Sequence, residues 1–115
     1  MITKSATDKL NCTLNLHFTC NARTAWGHII NTISDVRKPK VLLPSYIGYT
    51  EREGSGVFDP IKENSAKYDF YKVTNNLAID IDHFEQILKS GEISIALIIH
   101  YFGFCANDMD RIKQL

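Results

Sequence analysis

The sequence of 115 residues lacks the features of secreted, membrane-bound and nucleic-acid-binding proteins. Its three cysteines leave one thiol over from any pairing, and free thiols in a reducing cytosol are the simplest explanation. The formal net charge is zero, which gives no electrostatic basis for binding nucleic acid or an anionic membrane. No apolar run approaches a membrane span, and the first ten residues lack the apolar core of a signal peptide. We therefore expect a cytoplasmic protein without nucleic-acid or membrane partners.

Several motifs that would identify a site are also missing. There is no Gly-x-Gly-x-x-Gly loop, no Walker loop and no Cys-x-x-Cys pair, which argues against the usual dinucleotide, P-loop and dithiol sites. Cys12, His17 and Cys20 do not have the spacing of a zinc site, so we expect no metal. A thiol enzyme that uses Cys105 is an alternative, but no partner base or second nearby cysteine supports it.

Capping residues and apolar stripes predict four helices. They begin at Asn21, Asp59, Asp80 and Asn107. The first carries an apolar stripe at helical spacing, formed by Trp26, Ile29, Ile30 and Ile33. The third is expected to end at Gly91, because glycine suits the left-handed position after a helix.

Three strands are predicted at Lys40–Leu43, Tyr68–Val73 and Ile93–Ile99, with a fourth, weaker candidate at Leu14–Phe18. The run Ile93–Ile99 is almost wholly apolar and mostly β-branched, which is typical of a central strand buried on both faces. Helices alternate with strands, and this order favours right-handed crossovers and a mostly parallel sheet. We predict one α/β domain over residues 1–115, a three-layer sandwich, and expect it to be incomplete because the last helix only begins an apolar face.

Candidate site residues follow from the rule that ligands bind beyond the carboxyl ends of parallel strands. His100 follows the third strand, and Tyr46 follows the first with a ring that could stack on a planar ligand. The helix that starts at Asn21 offers unpaired amides to a phosphate, and Arg23 and Thr24 add side-chain donors. Each residue also has an ordinary structural interpretation: a capped helix, a core tyrosine and a hydrogen-bonded histidine.

Taken together, these strand ends resemble a known family. The segments concerned are Asn21–Ala25, Val41–Tyr46, Leu77–Asp82, Ile98–Phe104 and Asn107–Asp110. In this order and spacing they resemble the N-terminal third of the DegT/StrS-type aminotransferases, which are pyridoxal-phosphate enzymes of fold type I. Many members of that family transfer an amino group from a small-molecule donor to a nucleotide-linked keto-sugar. The resemblance implies part of the large domain of such an enzyme, and a homodimer with its active site shared at the interface.

The resemblance also implies roles for individual residues. The turn that holds the cofactor phosphate corresponds to Ala22, Arg23 and Thr24, with alanine where the family usually has glycine. The aromatic residue that stacks on the pyridine ring corresponds to Tyr46, and His100 falls near the cofactor. Residues 51–60 look like an additional excursion relative to the commoner members.

The family's Schiff-base lysine, and the aspartate that pairs with the pyridine nitrogen, both lie many tens of residues after the histidine strand. This sequence stops before either position. Lys89 and Lys113 lie on charged helical faces, where nothing would lower a lysine pKa. We therefore predict no catalytic residue and no transamination by this chain alone. The alternative is a small non-catalytic α/β module that binds a phosphorylated ligand.

Overall fold

The computed structural model describes residues 17–34 and 38–115 of the chain. Helices and strands alternate in the predicted order: α1 (Ala22–Ser34), β1 (Lys40–Pro44), α2 (Asp59–Glu63), β2 (Lys67–Tyr71), α3 (Ile81–Ser90), β3 (Ile95–Ala96) and α4 (Met109–Gln114). A short 3-10 turn, Tyr101–Gly103, lies between β3 and α4. Most of the weak strand candidate at Leu14–Phe18 lies outside the described residues, and Phe18 itself belongs to no strand.

The three strands form one parallel sheet in the order β2-β1-β3. The prediction that Ile93–Ile99 forms the central strand was wrong, because only Ile95 and Ala96 pair with β1 and neither is fully buried. The centre is β1, in which Val41, Leu42 and Leu43 are all completely buried. Hydrophobicity and β-branching predicted a strand in both places, but position in the sheet depends on which neighbours pair.

Two apolar clusters cover the two faces of this sheet. Alternate residues of β1 point to opposite faces, so Val41 and Leu43 join one cluster while Leu42 joins the other. The first cluster, here called the α1/α2 face, contains Ile30 of α1 and Ile61 of α2. The second, the α3/α4 face, is completed by Tyr71, Ile79, Phe84 and Ile112. The fold is therefore a small layered α/β domain around a three-stranded parallel sheet.

Local capping signals were accurate at two helices. The Asn21 side chain accepts a hydrogen bond from the Thr24 amide at 2.8 Å, and the Asp80 side chain accepts one from the His83 amide at 3.1 Å. In the predicted stripe of α1, Ile30 is buried but Ile29 is exposed. No helix of the described segments is long and apolar enough to cross a membrane.

Three other boundary predictions were wrong. Asp59 is the first residue of α2 rather than its cap, and Phe58 at the cap position makes no side-chain capping bond. Gly91 is extended, with φ −117°, rather than left-handed. Asp108 caps α4 in place of Asn107, because the Asn107 side chain instead accepts a hydrogen bond from the Ile79 amide.

Candidate functional site

Two tyrosines meet at the carboxyl edge of the sheet, where β1 and the segment after β3 end. The rings of Tyr46 and Tyr101 have centroids 5.5 Å apart and planes inclined at 58°. The Tyr101 hydroxyl donates a 2.6 Å hydrogen bond to the backbone carbonyl of Tyr46. Because Tyr46 closely follows the central strand, this bond connects the ends of two neighbouring strands.

A cavity of about 560 Å³ opens beside this pair. One wall consists of Tyr46, Tyr101 and Ile99. The rest is formed by residues 47–50 and 53–57 of the β1–α2 loop (residues 45–58). Tyr46 is 58% exposed, so much of its ring surface is available to a ligand. A mixed apolar and polar hollow at the end of parallel strands is the usual place for a small-molecule site in an open α/β sheet.

Side-chain hydrogen bonds hold the β1–α2 loop in shape. The Thr50 hydroxyl accepts a bond from the Glu53 amide at 2.8 Å and donates to the Glu53 carbonyl at 3.1 Å. The buried Ser55 hydroxyl accepts a bond from the Phe58 amide at 3.1 Å. On the helix side, the Trp26 indole donates to the Val57 carbonyl at 3.0 Å, which ties the loop to α1. The cavity wall is thus fixed from both sides.

Arg23 contacts the same loop from the start of α1. Its guanidinium lies 3.4 Å from the Asp59 carboxylate, at the beginning of α2. Gly54 fits closely against this pair, because a Cβ there would collide with the Asp59 carboxylate and lie 3.3 Å from Arg23 Nη2. Arg23 therefore supports the loop, and does not itself line the cavity.

The start of α1 lies at the carboxyl edge because its first turns contact the loop that follows β1. The Thr24 amide is already bonded to Asn21, and the Thr24 hydroxyl lies 3.4 Å from the Cys20 thiol. No described hydrogen bond uses the amides of Ala22 and Arg23. These two amides, with the positive end of the helix dipole, are the groups that could receive an anion.

The predicted site residues are thus only partly brought together. Tyr46 lines the cavity and Arg23 contacts its wall, whereas Ala22, Thr24 and His100 do not line it. His100 is exposed at the end of the segment that follows β3. Sequence reasoning placed a candidate site at the strand end that contains Tyr101 but assigned that residue no role, and it missed the loop as the cavity's main component. The signals were an aromatic residue directly after His100 and a glycine-rich excursion after β1.

Burial raises the pKa of Tyr101, which further favours the protonated hydroxyl that donates to the Tyr46 carbonyl. Lys62 lies near the loop, with its ammonium 2.8 Å from the Tyr49 hydroxyl, and that hydrogen bond raises the Lys62 pKa.

None of the lysines in the two described segments lines the cavity. Within the same segments, no three metal-ligating side chains group together.

Comparisons with protein-family models, with curated proteins and with solved structures find no match to this chain.

Proposed function

We propose that this chain supplies the cofactor-binding edge of a pyridoxal-phosphate-dependent aminotransferase of the DegT/StrS type, as part of a fold type I large domain. The main support is the cavity at the carboxyl edge of the sheet, where the exposed Tyr46 ring lies beside Tyr101. The start of α1 contacts the wall of the same cavity through Arg23. An aromatic face and a helix N-terminus at one edge suit a planar, phosphorylated ligand.

The residues present fit this cofactor in two respects. The Tyr46 ring provides an accessible face on which a pyridine ring would stack, and Tyr101 holds the Tyr46 backbone at the edge of the sheet. The Ala22 and Arg23 amides would receive the phosphate, with the Thr24 hydroxyl as a further donor. The Thr24 amide would stay with Asn21, because their 2.8 Å bond caps the helix.

When bound, pyridoxal phosphate serves as the electron sink of amino-group transfer, between a small-molecule donor and a carbonyl substrate such as a nucleotide-linked keto-sugar. The contribution of this chain would be to bind and orient. Tyr46 sets the plane of the ring, and the amides at the start of α1 anchor the phosphate. The β1–α2 loop forms one side of the cavity. No lysine of the described segments is placed to attach the cofactor, so we propose binding without catalysis by this chain alone.

The direct test is a titration of the purified chain with pyridoxal phosphate, monitored by absorbance, and followed by borohydride reduction and mass spectrometry. We expect saturable binding and no reducible adduct on a single lysine. Unphosphorylated pyridoxal should bind at least about 10-fold more weakly, because a charge-assisted phosphate contact contributes about 1.5–3 kcal/mol. A specific reduced adduct would refute the proposal that this chain lacks the attachment residue.

A pair of matched variants tests the location of the site. Tyr46→Ala removes the stacking face and should weaken binding by about 2- to 13-fold, from an aromatic contribution of about 0.5–1.5 kcal/mol. Tyr68→Ala removes another half-exposed tyrosine, on β2 and outside the cavity, and should leave cofactor binding unchanged. Equal affinities for the two variants would contradict the placement of the ring on Tyr46.

The absence of a cavity lysine in the described segments also favours the second candidate, a non-catalytic α/β module for a phosphorylated ligand. The two functions differ in selectivity. A cofactor site should prefer pyridoxal phosphate over phosphorylated compounds without a pyridine ring, such as a sugar phosphate. A general phosphate module should bind both classes with similar affinity.

A further inference from the structure

The outer edge of β2 carries backbone groups that the rest of the described chain does not use. The Lys67 amide donates to Pro39 and the Tyr71 carbonyl accepts from Ser45, so residues 67, 69 and 71 face β1. In a parallel pair, the intervening residues direct both backbone groups to the other side. Tyr68 and Phe70 therefore present two amides and two carbonyls outward, and no described hydrogen bond satisfies them.

This open edge has a definite end. At Lys72, the next residue in the outward series, the amide donates to His83 Nδ1 at 3.1 Å and the carbonyl accepts from Asp80 at 3.0 Å. The beginning of α3 thus closes the edge beyond Phe70. What remains is a short site with the hydrogen-bonding pattern of a missing strand of a few residues.

An aromatic groove lies beside this edge, on the α1/α2 face. It has a volume of about 350 Å³ and is lined by Ser45, Ile47, Tyr49, Phe58, Tyr68 and Phe70. The Tyr68 and Phe70 rings are 45% and 40% exposed and lie 5.6 Å apart. Side chains that alternate along an added strand would therefore enter an apolar hollow, which is how such sites gain selectivity.

The groove carries a basic side chain in Lys62, whose acidic neighbour Asp59 is paired with Arg23. Lys62 lies 5.0 Å from the centroid of the Tyr49 ring and 6.0 Å from that of Phe58. The exposed Lys67 and Lys72 flank β2 at its two ends, and the Lys67 side chain lies on the opposite face of the strand from the groove. The acidic residue of β2, Asp69, pairs with Lys40 at 2.7 Å. A strand that carries acidic residues at its ends would complement this distribution.

We propose that the β2 edge and its aromatic groove bind an extended peptide segment of another protein, with aliphatic side chains toward the groove and acidic residues at its ends. Backbone pairing to Tyr68 and Phe70 supplies the added strand, and Lys62, Lys67 and Lys72 select its charge. This surface is separate from the proposed cofactor site, except that Ile47 and Tyr49 border both hollows.

A second copy of this chain fits the edge less well. Antiparallel pairing of two β2 strands that satisfies all four outward groups sets Tyr68 opposite Phe70 of the other copy. The residue between them, Asp69, would then oppose its own counterpart, and its exposed ion pair with Lys40 offsets only part of the repulsion between directly opposed like charges. The groove lysines of both copies would also approach each other. A heterologous acidic strand avoids both repulsions.

The test adds a capped peptide, Glu-Thr-Val-Thr-Val-Thr-Glu, to the full chain. Binding is monitored by NMR, and the exchange rates of the backbone amides are measured with and without the peptide. We expect exchange of the Tyr68 and Phe70 amides to slow by about 10-fold at saturation. The Asp69 and Tyr71 amides, which face β1, should be protected with or without peptide and serve as internal controls. Slowed exchange of Tyr68 and Phe70 in the isolated chain, dependent on its concentration, would overturn the proposal in favour of self-pairing.

Altered peptides and protein variants separate three contributions to binding: backbone pairing, charge and the aromatic groove. Methylation of the peptide's backbone amides should abolish binding, and replacement of both glutamates by lysine should weaken it by about 10-fold or more. Phe70→Ala should weaken binding by about 2- to 13-fold, from an aromatic contribution of about 0.5–1.5 kcal/mol, while leaving pyridoxal phosphate binding unchanged. Tyr46→Ala is the reciprocal control. Equal binding of the methylated or the lysine peptide would refute strand addition or charge selection, respectively.

Discussion

The two faces of the sheet are covered to different extents. On the α3/α4 face, Tyr71 and Phe84 are each only 1% exposed and pack edge to face with centroids 5.1 Å apart. On the α1/α2 face, the corresponding residues of β2 are Tyr68 and Phe70, which stay partly exposed. The difference arises because α2 has only five residues and its buried Ile61 packs over β1 rather than β2.

Hydrogen bonds also connect the elements of the α3/α4 face. On the α3/α4 face, the Tyr71 hydroxyl donates to the Leu97 carbonyl at 2.9 Å and the Asn107 side chain accepts from Ile79 at 2.7 Å. On the other face, the β1–α2 loop takes the place of a longer helix, and both hollows described above border it. We infer that the well-packed face provides stability, and that the incompletely covered face provides the recognition surfaces.

Truncating one phenylalanine on each face tests this division most strongly. Phe84→Ala should lower the free energy of unfolding by about 3–5 kcal/mol, because it leaves a cavity in a fully buried cluster. Phe70→Ala should lower it by about 1 kcal/mol or less, because that ring is already partly solvated. Denaturant unfolding of both variants measures the contrast, and losses of similar size would show that the two faces contribute equally.

Removing the Asn107 side chain examines one hydrogen bond of the well-packed face. Asn107→Ala leaves the amide of the buried Ile79 without its acceptor and should cost about 1–3 kcal/mol. Asn107→Asp keeps an acceptor oxygen in place and serves as the matched control. Thermal and denaturant unfolding of the two variants provide the measurement. If Asn107→Asp lost as much stability as Asn107→Ala, the contribution of Asn107 would not come from the hydrogen bond that it accepts from Ile79.

The smallest expected effect concerns the Tyr71 hydroxyl. Tyr71→Phe should lose about 1 kcal/mol at neutral pH, because one hydrogen bond is removed. Burial raises the pKa of Tyr71 well above its ordinary value of about 10. Above about pH 10 the unfolded chain releases the Tyr71 proton, whereas the folded chain retains it. The free energy of unfolding is therefore at its full value below about pH 10 and falls as the pH rises further.

Unfolding of wild type and Tyr71→Phe between pH 8 and pH 11 measures this linkage. The wild type should lose stability more steeply than the variant. A smaller decline should remain in Tyr71→Phe, because burial also raises the pKa of Tyr101. Tyr101→Phe isolates that second contribution. Parallel profiles for wild type and Tyr71→Phe would exclude Tyr71 as the source of the alkaline sensitivity.

Sequence reasoning was accurate at two helix caps whose interactions are local, although the local predictions at Asp59 and Gly91 were wrong. The caps at Asn21 and Asp80 were predicted from residues that contact partners three positions away. It was wrong at Asn107, whose amide side chain bonds to Ile79, a distant residue that no local pattern indicates. For the candidate site, Tyr46 was placed on the correct edge by its position after a strand, while the contact between Tyr101 and Tyr46 emerged only once the strands were aligned.

The sequence by itself determined the order of helices and strands and the parallel arrangement, because periodicity, caps and turn residues act over a few neighbouring positions. Tertiary structure alone decided that β1 rather than Ile93–Ile99 is central, and that Tyr68 and Phe70 remain exposed while Tyr71 is buried. The backbone amides and carbonyls of an apolar strand can form ladder hydrogen bonds at the centre of a sheet or at its edge. The choice depends on the lengths of the helices that cover it and on contacts between residues far apart in the chain.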